Sequence, residues 1–362
     1  MTTSSPQLSI IVPILNDAAE LQGLLASLAE QRGLSFEVIL CNGGSTDATK
    51  ELVTTWMAQS CFTLRLITTP RGRGLQMNAG AAAAAGNLLL FLHADSRFTD
   101  NDALLSGITM YKGHHSNASK PCAARFRLHF RRSDNKPSLA YFYHEAKARL
   151  KRGDSIRGDQ GYLIDRTTFE QLGSFDGSLP FLEDVRLAAL LAEKGEWLLL
   201  PAEISTSARR FEQEGFYERQ VANVIIVNAI DTGWNELLST LPGLYHCNSS
   251  SGRLLLFPLL DGVRILINSH DRTWRNSFWL ATGRHVAANA WQLFFWLDVR
   301  RAFHAGQSSD AVIPAWLNRY VEQLKPLFES RPAARLAELL TRLWLWWMLR
   351  ATRKAADLTK TS

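Results

Sequence analysis

The sequence predicts an α/β protein with a mainly parallel sheet, followed by an α-helical C-terminal extension. From residue 8 to residue 95, short apolar runs alternate with segments of helical periodicity, which is the pattern of successive β-α-β units. A polar loop follows three of these runs. Beyond residue 252 the chain changes character, because eight of its eleven tryptophans and a charge balance of +8 lie in that region.

The elements of the N-terminal part follow one another in a regular order. Apolar runs predict four strands, at 8–12, 36–40, 62–68 and 86–95, the first of which is expected to stop at Pro13. Helical periodicity and small residues predict three helices between them, at 18–31, 48–57 and 74–86. Asp47 or a neighbouring hydroxyl is predicted to cap the second helix. This alternation predicts right-handed crossovers between parallel strands.

The fourth strand is the most informative, because it is predicted to end on the carboxylate of Asp95. In an open α/β sheet, ligands bind beyond the carboxyl ends of the strands. A carboxylate there can hold a divalent cation and, through it, a diphosphate, whereas the alternative is that Asp95 caps the next turn or helix. The loops 13–17, 42–47 and 93–95 are expected to meet at one sheet edge. They predict a nucleotide site built from several strand ends.

Other nucleotide motifs are weak or missing. Gly72-Arg-Gly74 opens a helix after a strand, but the third glycine of a dinucleotide fingerprint is misplaced and the strand is the third. No GxxxxGK[ST] loop occurs. We interpret the segment as small residues that let Arg71 and Arg73 approach a phosphate. The alternative is a solvated arginine pair beside a tightly packed alanine helix.

Composition limits the compartment and the partners. The four cysteines show neither a CxxC spacing nor a disulfide framework, which predicts reduced thiols and a cytoplasmic protein. The N-terminus lacks signal-peptide features, and no apolar run reaches the roughly 18 residues of a membrane span. Residues 1–252 carry 24 basic and 26 acidic side chains. With that slightly acidic balance and no known motif, nucleic acid is not an expected partner.

Eight short motifs in order along 8–235 resemble glycosyltransferase family 2, which has the GT-A fold. They are SIIVPILND (9–17), NGGSTD (42–47), RGRGLQMNAG (71–80), FLHADS (91–96), GDQG (158–161), FEQLGSF (169–175), FLED (181–184) and SARRF (207–211). The third and fourth are similar to a bacterial "transferase 2" branch associated with radical-SAM and selenodomain proteins. The resemblance implies sugar transfer from a nucleotide diphosphate donor, such as a UDP- or GDP-sugar, usually with inversion.

The resemblance also implies roles for individual residues. Asp95 would bind Mn²⁺ or Mg²⁺, and Asp184, paired with Glu183, matches the general base. His93 is expected to be a hydrogen-bonded structural residue rather than a metal ligand. Substrate contacts are implied at Pro13, Asn16, Asp17, Asn42, Arg71, Arg73, Asn78, Asp95, Asp159, Gln160, Arg209 and Arg210.

Two residues depart from the family pattern, and two pairs have alternative interpretations. Asn42 replaces an aspartate expected to accept a hydrogen bond from uracil, and Asp17 replaces a longer glutamate. Glu183 and Asp184 are predicted to point in different directions, or else to form only an acidic first turn. Arg209-Arg210 is predicted to contact phosphate or to pair with Glu183 or Glu212.

The C-terminal third lies outside the resemblance. We predict a transferase domain at 1–245 and a basic, Trp-rich module at 253–362, separated by the polar stretch 246–252. Helices are predicted at 221–241, 254–260, 278–303 and 336–349. The module is interpreted as resting on anionic lipid at the inner face of the cytoplasmic membrane, or as an aromatic core or homodimer interface. The basic segment 113–157 favours an anionic acceptor or is a solvated face.

Function follows from these observations. The leading hypothesis is a metal-dependent glycosyltransferase acting on an unidentified acceptor. A sugar nucleotidyltransferase would need a Gly-rich, Arg-containing loop after the first strand, where this chain has 13–17. The alternative from another class is a non-catalytic nucleotide-sugar sensor or membrane-surface scaffold, which would bind a nucleotide sugar without releasing nucleotide diphosphate.

Overall fold

The structure is a computed structural model that describes residues 6–179, 181–249 and 251–360. Its internal contacts divide the chain into two compact units. One extends to Asp134 and resumes over His144–Ser207; the other comprises Asn135–Tyr143 and the chain from Ala208 onward. This division falls before the polar stretch 246–252, so helices predicted for the transferase domain group with the C-terminal region. The predicted domain limits at 245 and 253 stay a prediction.

The first unit is built on one eight-stranded mixed sheet. Its strands are β1 (Leu8–Ile14), β2 (Phe36–Asn42), β3 (Thr63–Thr68), β4 (Leu88–Phe91), β5 (Arg97–Phe98), β6 (Cys122–Arg131), β7 (Tyr162–Asp165) and β8 (Glu196–Ser207). Their spatial order is β3-β2-β1-β4-β7-β6-β8-β5. The first four strands are parallel, as the alternation predicts, whereas β7 runs antiparallel to both β4 and β6. The four predicted strands are confirmed.

Helices cover this sheet because each one buries an apolar face against it. They are α1 (Ala18–Ala29), α2 (Thr49–Gln59), α3 (Arg73–Ala83), α4 (Ala103–His115), α6 (Arg166–Gln171) and α7 (Glu183–Lys194). Helix α5 (Leu139–Lys147) precedes α6 in the chain and is divided between the two units after Tyr143. In α1 the leucines at positions 21, 24, 25 and 28 are fully buried, as their spacing predicts. All seven residues of β1 are buried, so the sheet carries core on both faces.

The first strand does not stop at Pro13, as the sequence analysis expects, but continues to Ile14. Parallel strands alternate their hydrogen bonds between two neighbours, and the carbonyl of Ile11 accepts from Leu92 on the β4 side. Pro13 faces that same side, where β4 has already ended at Phe91. The missing N–H of proline therefore leaves no ladder partner unpaired.

The second unit is helical. It contains α8 (Arg209–Glu214), α9 (Phe216–Asp231), α10 (Asn235–Leu244), α11 (Leu256–Ser269), α12 (Arg272–Ala288), α13 (Trp291–His304), α14 (Ala315–Arg319), α15 (Lys325–Phe328) and α16 (Arg331–Lys360). The helix predicted at 221–241 is broken at Gly233, which adopts a positive φ of 70°. The one predicted at 278–303 is likewise two helices. Within the described ranges, no helix is long and apolar enough to cross a membrane.

Candidate active site

The loops after β1 and β2 are joined by side-chain hydrogen bonds. The Asn16 Oδ1 atom accepts from the Thr46 backbone N–H at 2.8 Å, and the Asn16 N–H donates to Ser45 Oγ at 3.0 Å. Asp47 Oδ2 accepts from the Ala18 N–H at 3.2 Å, at the start of α1. Asn16 itself has a left-handed backbone, with φ of 57°. The two strand ends therefore meet at one edge, as the sequence predicts.

Asn42 uses its carbonyl oxygen within its own loop. Asn42 Oδ1 accepts from the N–H groups of Gly44 at 3.1 Å and Ser45 at 2.8 Å, and the residue is only 2% exposed. This is an Asx turn, which either asparagine or aspartate can make. The geometry argues against the expected hydrogen bond from uracil to Asn42. Asp17 is likewise engaged locally, because its Oδ2 accepts from the Leu15 N–H at 3.1 Å.

Helix α3 holds the ends of β1 and β2 through a side chain that sequence reasoning missed. The buried Gln76 donates from Nε2 to the carbonyl of Ile14 at 3.0 Å and to that of Cys41 at 2.6 Å. In the sequence, the one indication of a role for this segment is that it lies in RGRGLQMNAG (71–80), a motif that resembles the family. Two residues later, Asn78 exchanges two hydrogen bonds with the backbone of Phe175, at 2.8 and 3.0 Å. Asn78 thus fixes a neighbouring loop, which argues against its predicted contact with substrate.

At its first residue, α3 is joined to α7 by an ion cluster. Arg73 Nε donates to Glu183 Oε1, and Arg73 Nη2 donates to Asp184 Oδ1 at 3.1 Å. Both carboxylates are buried, at 1% and 5% exposure. The expectation that they point in different directions is wrong, because one guanidinium binds both. The alternative pairing of Glu183 with Arg209-Arg210 is replaced by this cluster.

The two carboxyl groups of this cluster titrate differently. Burial would raise the pKa of Asp184, but the charge of Arg73 and a 2.7 Å hydrogen bond from the Gly158 N–H hold that pKa below its usual value. For Glu183, burial prevails over the charge of Arg73 and raises the pKa. Asp184 is therefore ionised at neutral pH, which is the form that a proton acceptor needs.

Asp95 lies four residues beyond the end of β4, so the predicted strand is shorter than expected. Its Oδ2 accepts from Thr206 Oγ1 at 3.0 Å and from the Ser207 N–H at 3.3 Å. Its backbone carbonyl accepts from Arg131 at 2.8 Å. These partners lie on β6 and β8, not in the turn that follows Asp95. The carboxylate is thus held by the sheet and not by the local cap offered as the alternative.

Gly158 brings His93 and Asp184 close together. A Cβ atom at this glycine would lie 3.0 Å from Asp184 Oδ2 and 3.1 Å from His93 Nε2, so no larger residue fits without a shift. Burial, reinforced by the charge of Arg73, lowers the pKa of His93. The imidazole is therefore neutral at physiological pH, which suits a structural residue and a metal ligand alike, so the structural role expected of it stays a prediction.

Asp159 follows Gly158 and is a further carboxylate of the candidate site. Among the residues that the structure describes, its buried Oδ1 atom has no hydrogen-bond partner. Burial, together with the charges of Asp184 and Asp95, raises its pKa to about 7. A cation or a hydrogen-bond donor from a ligand would relieve both effects.

Gln160 is an internal link. Its Oε1 accepts from Arg125 Nη1 at 2.9 Å, and its Nε2 donates to the carbonyl of Ser155 at 3.1 Å. Its burial, at 1% exposure, argues against the predicted contact with substrate. Arg125 is a fully buried cation that sequence reasoning missed, and burial lowers its pKa to about 10.

The remaining predicted arginines divide between the two units. Arg71 is exposed just before α3. Arg209 and Arg210 are exposed at the start of α8, in the second unit. The Nε atom of Arg210 lies 3.6 Å from Oε1 of Glu214. Pro13 is buried within β1. The substrate contacts implied for these four residues stay predictions.

The chain is similar to known glycosyltransferases. Residues 9–172 match the family model described as "Glycosyl transferase family 2". A "PGL/p-HBAD biosynthesis glycosyltransferase" of Mycobacterium bovis is 37% identical over 115 residues, 31% of this chain and 44% of the relative. An "Uncharacterized glycosyltransferase" of Haemophilus influenzae is 40% identical over 93 residues, 25% of this chain and 30% of the relative. The chain thus spans less than half the length of these curated relatives.

Among solved structures, that of S. aureus TarS residues 1–349 in complex with UDP aligns with a TM-score of 0.50 and 17% identity. The alignment covers 87% of this chain and 91% of the TarS chain. Likeness at this identity establishes the fold alone, and the GT-A fold predicted from the sequence is confirmed. The assignment to one bacterial branch of the family stays a prediction.

Proposed function

We propose that this chain, whose residues 9–172 match the model of glycosyltransferase family 2, transfers a sugar from a nucleotide diphosphate donor to an acceptor. One observation carries the proposal: α3 joins the loops of the predicted nucleotide site to a buried pair of carboxylates. Gln76 binds the ends of β1 and β2, and one turn earlier Arg73 binds Glu183 and Asp184. A donor bound at the strand ends would therefore lie beside a candidate base.

The donor is a UDP- or GDP-sugar in this proposal. The loop pair formed by Asn16, Ser45 and Thr46 is fixed by its own hydrogen bonds, so it offers a preorganised wall to a nucleoside. Arg71, which is exposed next to α3, is the cation available to a diphosphate. Arg73 is partly exposed, but its main role is to position Asp184 and to keep it ionised.

A divalent cation, Mn²⁺ or Mg²⁺, completes the donor site in this proposal. Within the described ranges, no group of three His, Cys, Asp or Glu side chains is arranged to hold a metal. Such cations are commonly bound by one or two carboxylates together with substrate phosphates. Asp95, held by β8, and the unpartnered Oδ1 of Asp159 fit that kind of site. When bound, the cation would neutralise charge on the leaving diphosphate.

The reaction is a displacement at the anomeric carbon. The acceptor oxygen forms the new C–O bond while the bond to the diphosphate breaks, and the acceptor proton passes to Asp184. Such proton transfer contributes typically 10²–10⁴-fold to the rate. Attack from the side opposite the leaving group inverts the anomeric configuration. Glu183, with its raised pKa, stays on Arg73 and maintains the position of the base.

The cytoplasm is the proposed location. Cys41, Cys61, Cys122 and Cys247 are free thiols in the structure. Free thiols suit a reducing compartment.

The test combines binding and turnover in the full chain. UDP or GDP at about 100 times its dissociation constant, with Mn²⁺, should stabilise the protein by roughly 2.7 kcal/mol, a shift in Tm of a few degrees. Asp95→Asn should lose the metal-dependent part of the shift, whereas Glu170→Gln, an exposed carboxylate on α6, should keep it. Asp184→Asn should keep the shift but lose release of nucleotide diphosphate from a donor sugar.

Two results would contradict the proposal. Absence of any shift with UDP, GDP or their sugars would remove the nucleotide site. Binding of a nucleotide sugar without release of nucleotide diphosphate, in the presence of a range of acceptor hydroxyls and of water, would favour the non-catalytic sensor.

A further inference from the structure

Helix α16 exposes a continuous apolar stripe, which we call the outer face of α16. It consists of Leu336, Leu339, Leu340, Leu343, Trp346 and Trp347, each of which is more than half exposed. Their spacings of three and four residues place them on one side of the helix. With a rise of about 1.5 Å per residue, the stripe is about 16 Å long.

The core of the second unit does not need this stripe. The opposite side of α16 carries Ala334, Ala337, Leu345 and Met348, all buried, and it packs against α11 and α12. Single exposed leucines are ordinary on protein surfaces. A helix that is apolar on both sides is instead typical of one that is covered on both sides. We therefore expect another molecule to cover the outer face of α16.

The surroundings of the outer face are cationic. Arg331, Arg335, Arg350 and Arg353 are exposed on the same helix. The Arg350 guanidinium lies over the Trp346 ring, 3.9 Å from its centroid. Residues 253–362 carry 16 basic and 8 acidic side chains, a balance of +8.

The same combination of exposed indole and guanidinium recurs twice in the second unit. Arg300 lies 5.3 Å from the ring centroid of Trp296, and Arg319 lies 5.8 Å from that of Trp316. Both indoles are exposed. Tryptophan favours the boundary between water and hydrocarbon, and arginine binds phosphate there through its planar fork of donors.

We propose that the outer face of α16 docks on an anionic lipid surface, with its leucines and tryptophans in the headgroup boundary and its arginines on lipid phosphates. This goes beyond the proposed sugar transfer. An amphipathic helix with Trp and Leu on one side and Arg beside them lies in the plane of such a surface. Each basic residue near anionic lipid adds attraction, and eight net positive charges favour this partner.

A second copy of this chain is the less suitable occupant. Self-association would bring two regions of balance +8 against each other, and the cores of protein interfaces are depleted in charged residues. An anionic surface instead complements the arginines that surround the stripe. Charge complementarity therefore favours an anionic lipid surface over a second copy of this chain.

The experiment measures binding of the full chain to vesicles. It uses phosphatidylcholine alone and phosphatidylcholine mixed with phosphatidylglycerol, in flotation and by tryptophan fluorescence. We expect binding to the anionic vesicles, with a blue-shifted emission. Trp346→Gln/Trp347→Gln should weaken that binding by about tenfold or more. Met57→Gln/Met110→Gln, which changes two exposed apolar residues on α2 and α4, should bind as the wild type does.

Three outcomes would overturn the inference. The first is no binding to anionic vesicles by a protein whose circular dichroism shows that it is folded. The second is equal loss of binding in both double variants. The third is a wild type that is dimeric in solution and a Trp346→Gln/Trp347→Gln variant that is monomeric, which would make a second copy the occupant. Retained Tm shifts with UDP or GDP would show that the donor site is unaffected in each case.

Discussion

Arg73 contacts two neighbouring carboxylates, Glu183 and Asp184, whose pKa values shift in opposite directions. It binds both Glu183 and Asp184, and Asp184 also accepts a hydrogen bond from the Gly158 N–H. At Asp184 the charge of Arg73, together with this contact, outweighs burial and lowers the pKa, whereas at Glu183 burial prevails and raises it. Asp184 can thus act as the base while Glu183 maintains its position, and both side chains stay in contact with Arg73.

Removing the shared cation should therefore destabilise the protein. Arg73→Ala leaves two buried carboxylates without their partner, for which we expect a loss of about 2–4 kcal/mol in the free energy of unfolding at pH 7. The measurement is urea unfolding followed by circular dichroism. Adding Glu183→Gln to Arg73→Ala should restore part of the loss, because only one buried charge then remains. Equal stability of the single and double variants would contradict the shared-cation account.

Asp159 gives a pH-dependent prediction. Its folded pKa of about 7 lies above the ordinary value of 3.8, so the folded state holds the proton more tightly than the unfolded state. Stability from this group is then fully present below pH 3.8 and is lost as the pH rises toward 7. Asp159→Asn removes the buried charge that causes this loss. The variant should melt a few degrees above the wild type at pH 8.

The same variant should lose its advantage in acid. Near pH 4 the wild-type Asp159 is protonated in the folded state, so the two proteins should melt at similar temperatures. Thermal scans of both proteins between pH 4 and pH 8, without metal, give the difference directly. Glu170→Gln, at an exposed carboxylate, should show no comparable trend. A constant difference at every pH would contradict a raised pKa at Asp159.

At the scale of elements, α3 depends on a close approach to the sheet. A Cβ atom at Gly80 would overlap Ile11 of β1 and lie 2.7 Å from the Cys41 sulfur of β2. Gly113 on α4 is a matched helical glycine with open space around its Cβ position. Gly80→Ala should therefore cost about 1–3 kcal/mol, whereas Gly113→Ala should be neutral or stabilise by up to about 1 kcal/mol.

Chemical denaturation of Gly80→Ala and Gly113→Ala measures the two changes in the free energy of unfolding. The larger loss in Gly80→Ala should be accompanied by weaker binding of nucleotide, because α3 also carries Gln76 and Arg73. Similar stabilities for the two variants would show that α3 moves away from the sheet at little cost, contrary to the packing argument.

The elements were easier to predict than the partners of their polar side chains. Strands β1 to β4 and helix α1 follow from local periodicity, which depends only on neighbouring residues. The hydrogen bonds of Asn78 and Gln160 reach Phe175 and Arg125, far along the chain, and no local pattern encodes such pairings. Family resemblance marked both residues as important, and the structure assigns them to fixing loops around the site.

At the scale of the whole molecule, charge is divided between two kinds of polypeptide. Residues 1–252 have a balance of −2 and contain the sheet, whereas 253–362 have a balance of +8, and over the described residues 253–360 they form helices and no strand of the sheet. Tryptophan counts and charge revealed this division in the sequence. The compact units did not follow from composition, because residues 208–252 group with the C-terminal helices but lack their excess of tryptophan and of positive charge.

This division predicts that added salt weakens the binding of the protein to anionic vesicles. The Debye length falls from about 10 Å at 0.1 M salt to about 3 Å at 1 M, so attraction between exposed arginines and anionic lipid weakens while burial of the leucines and tryptophans persists. Over that range we expect about tenfold weaker binding to anionic vesicles. Arg350→Glu/Arg353→Glu should bind more weakly at low salt and respond less to added salt. Binding that is independent of salt would mean that apolar contact alone holds the outer face of α16, and the charge argument for lipid over a second copy would fail.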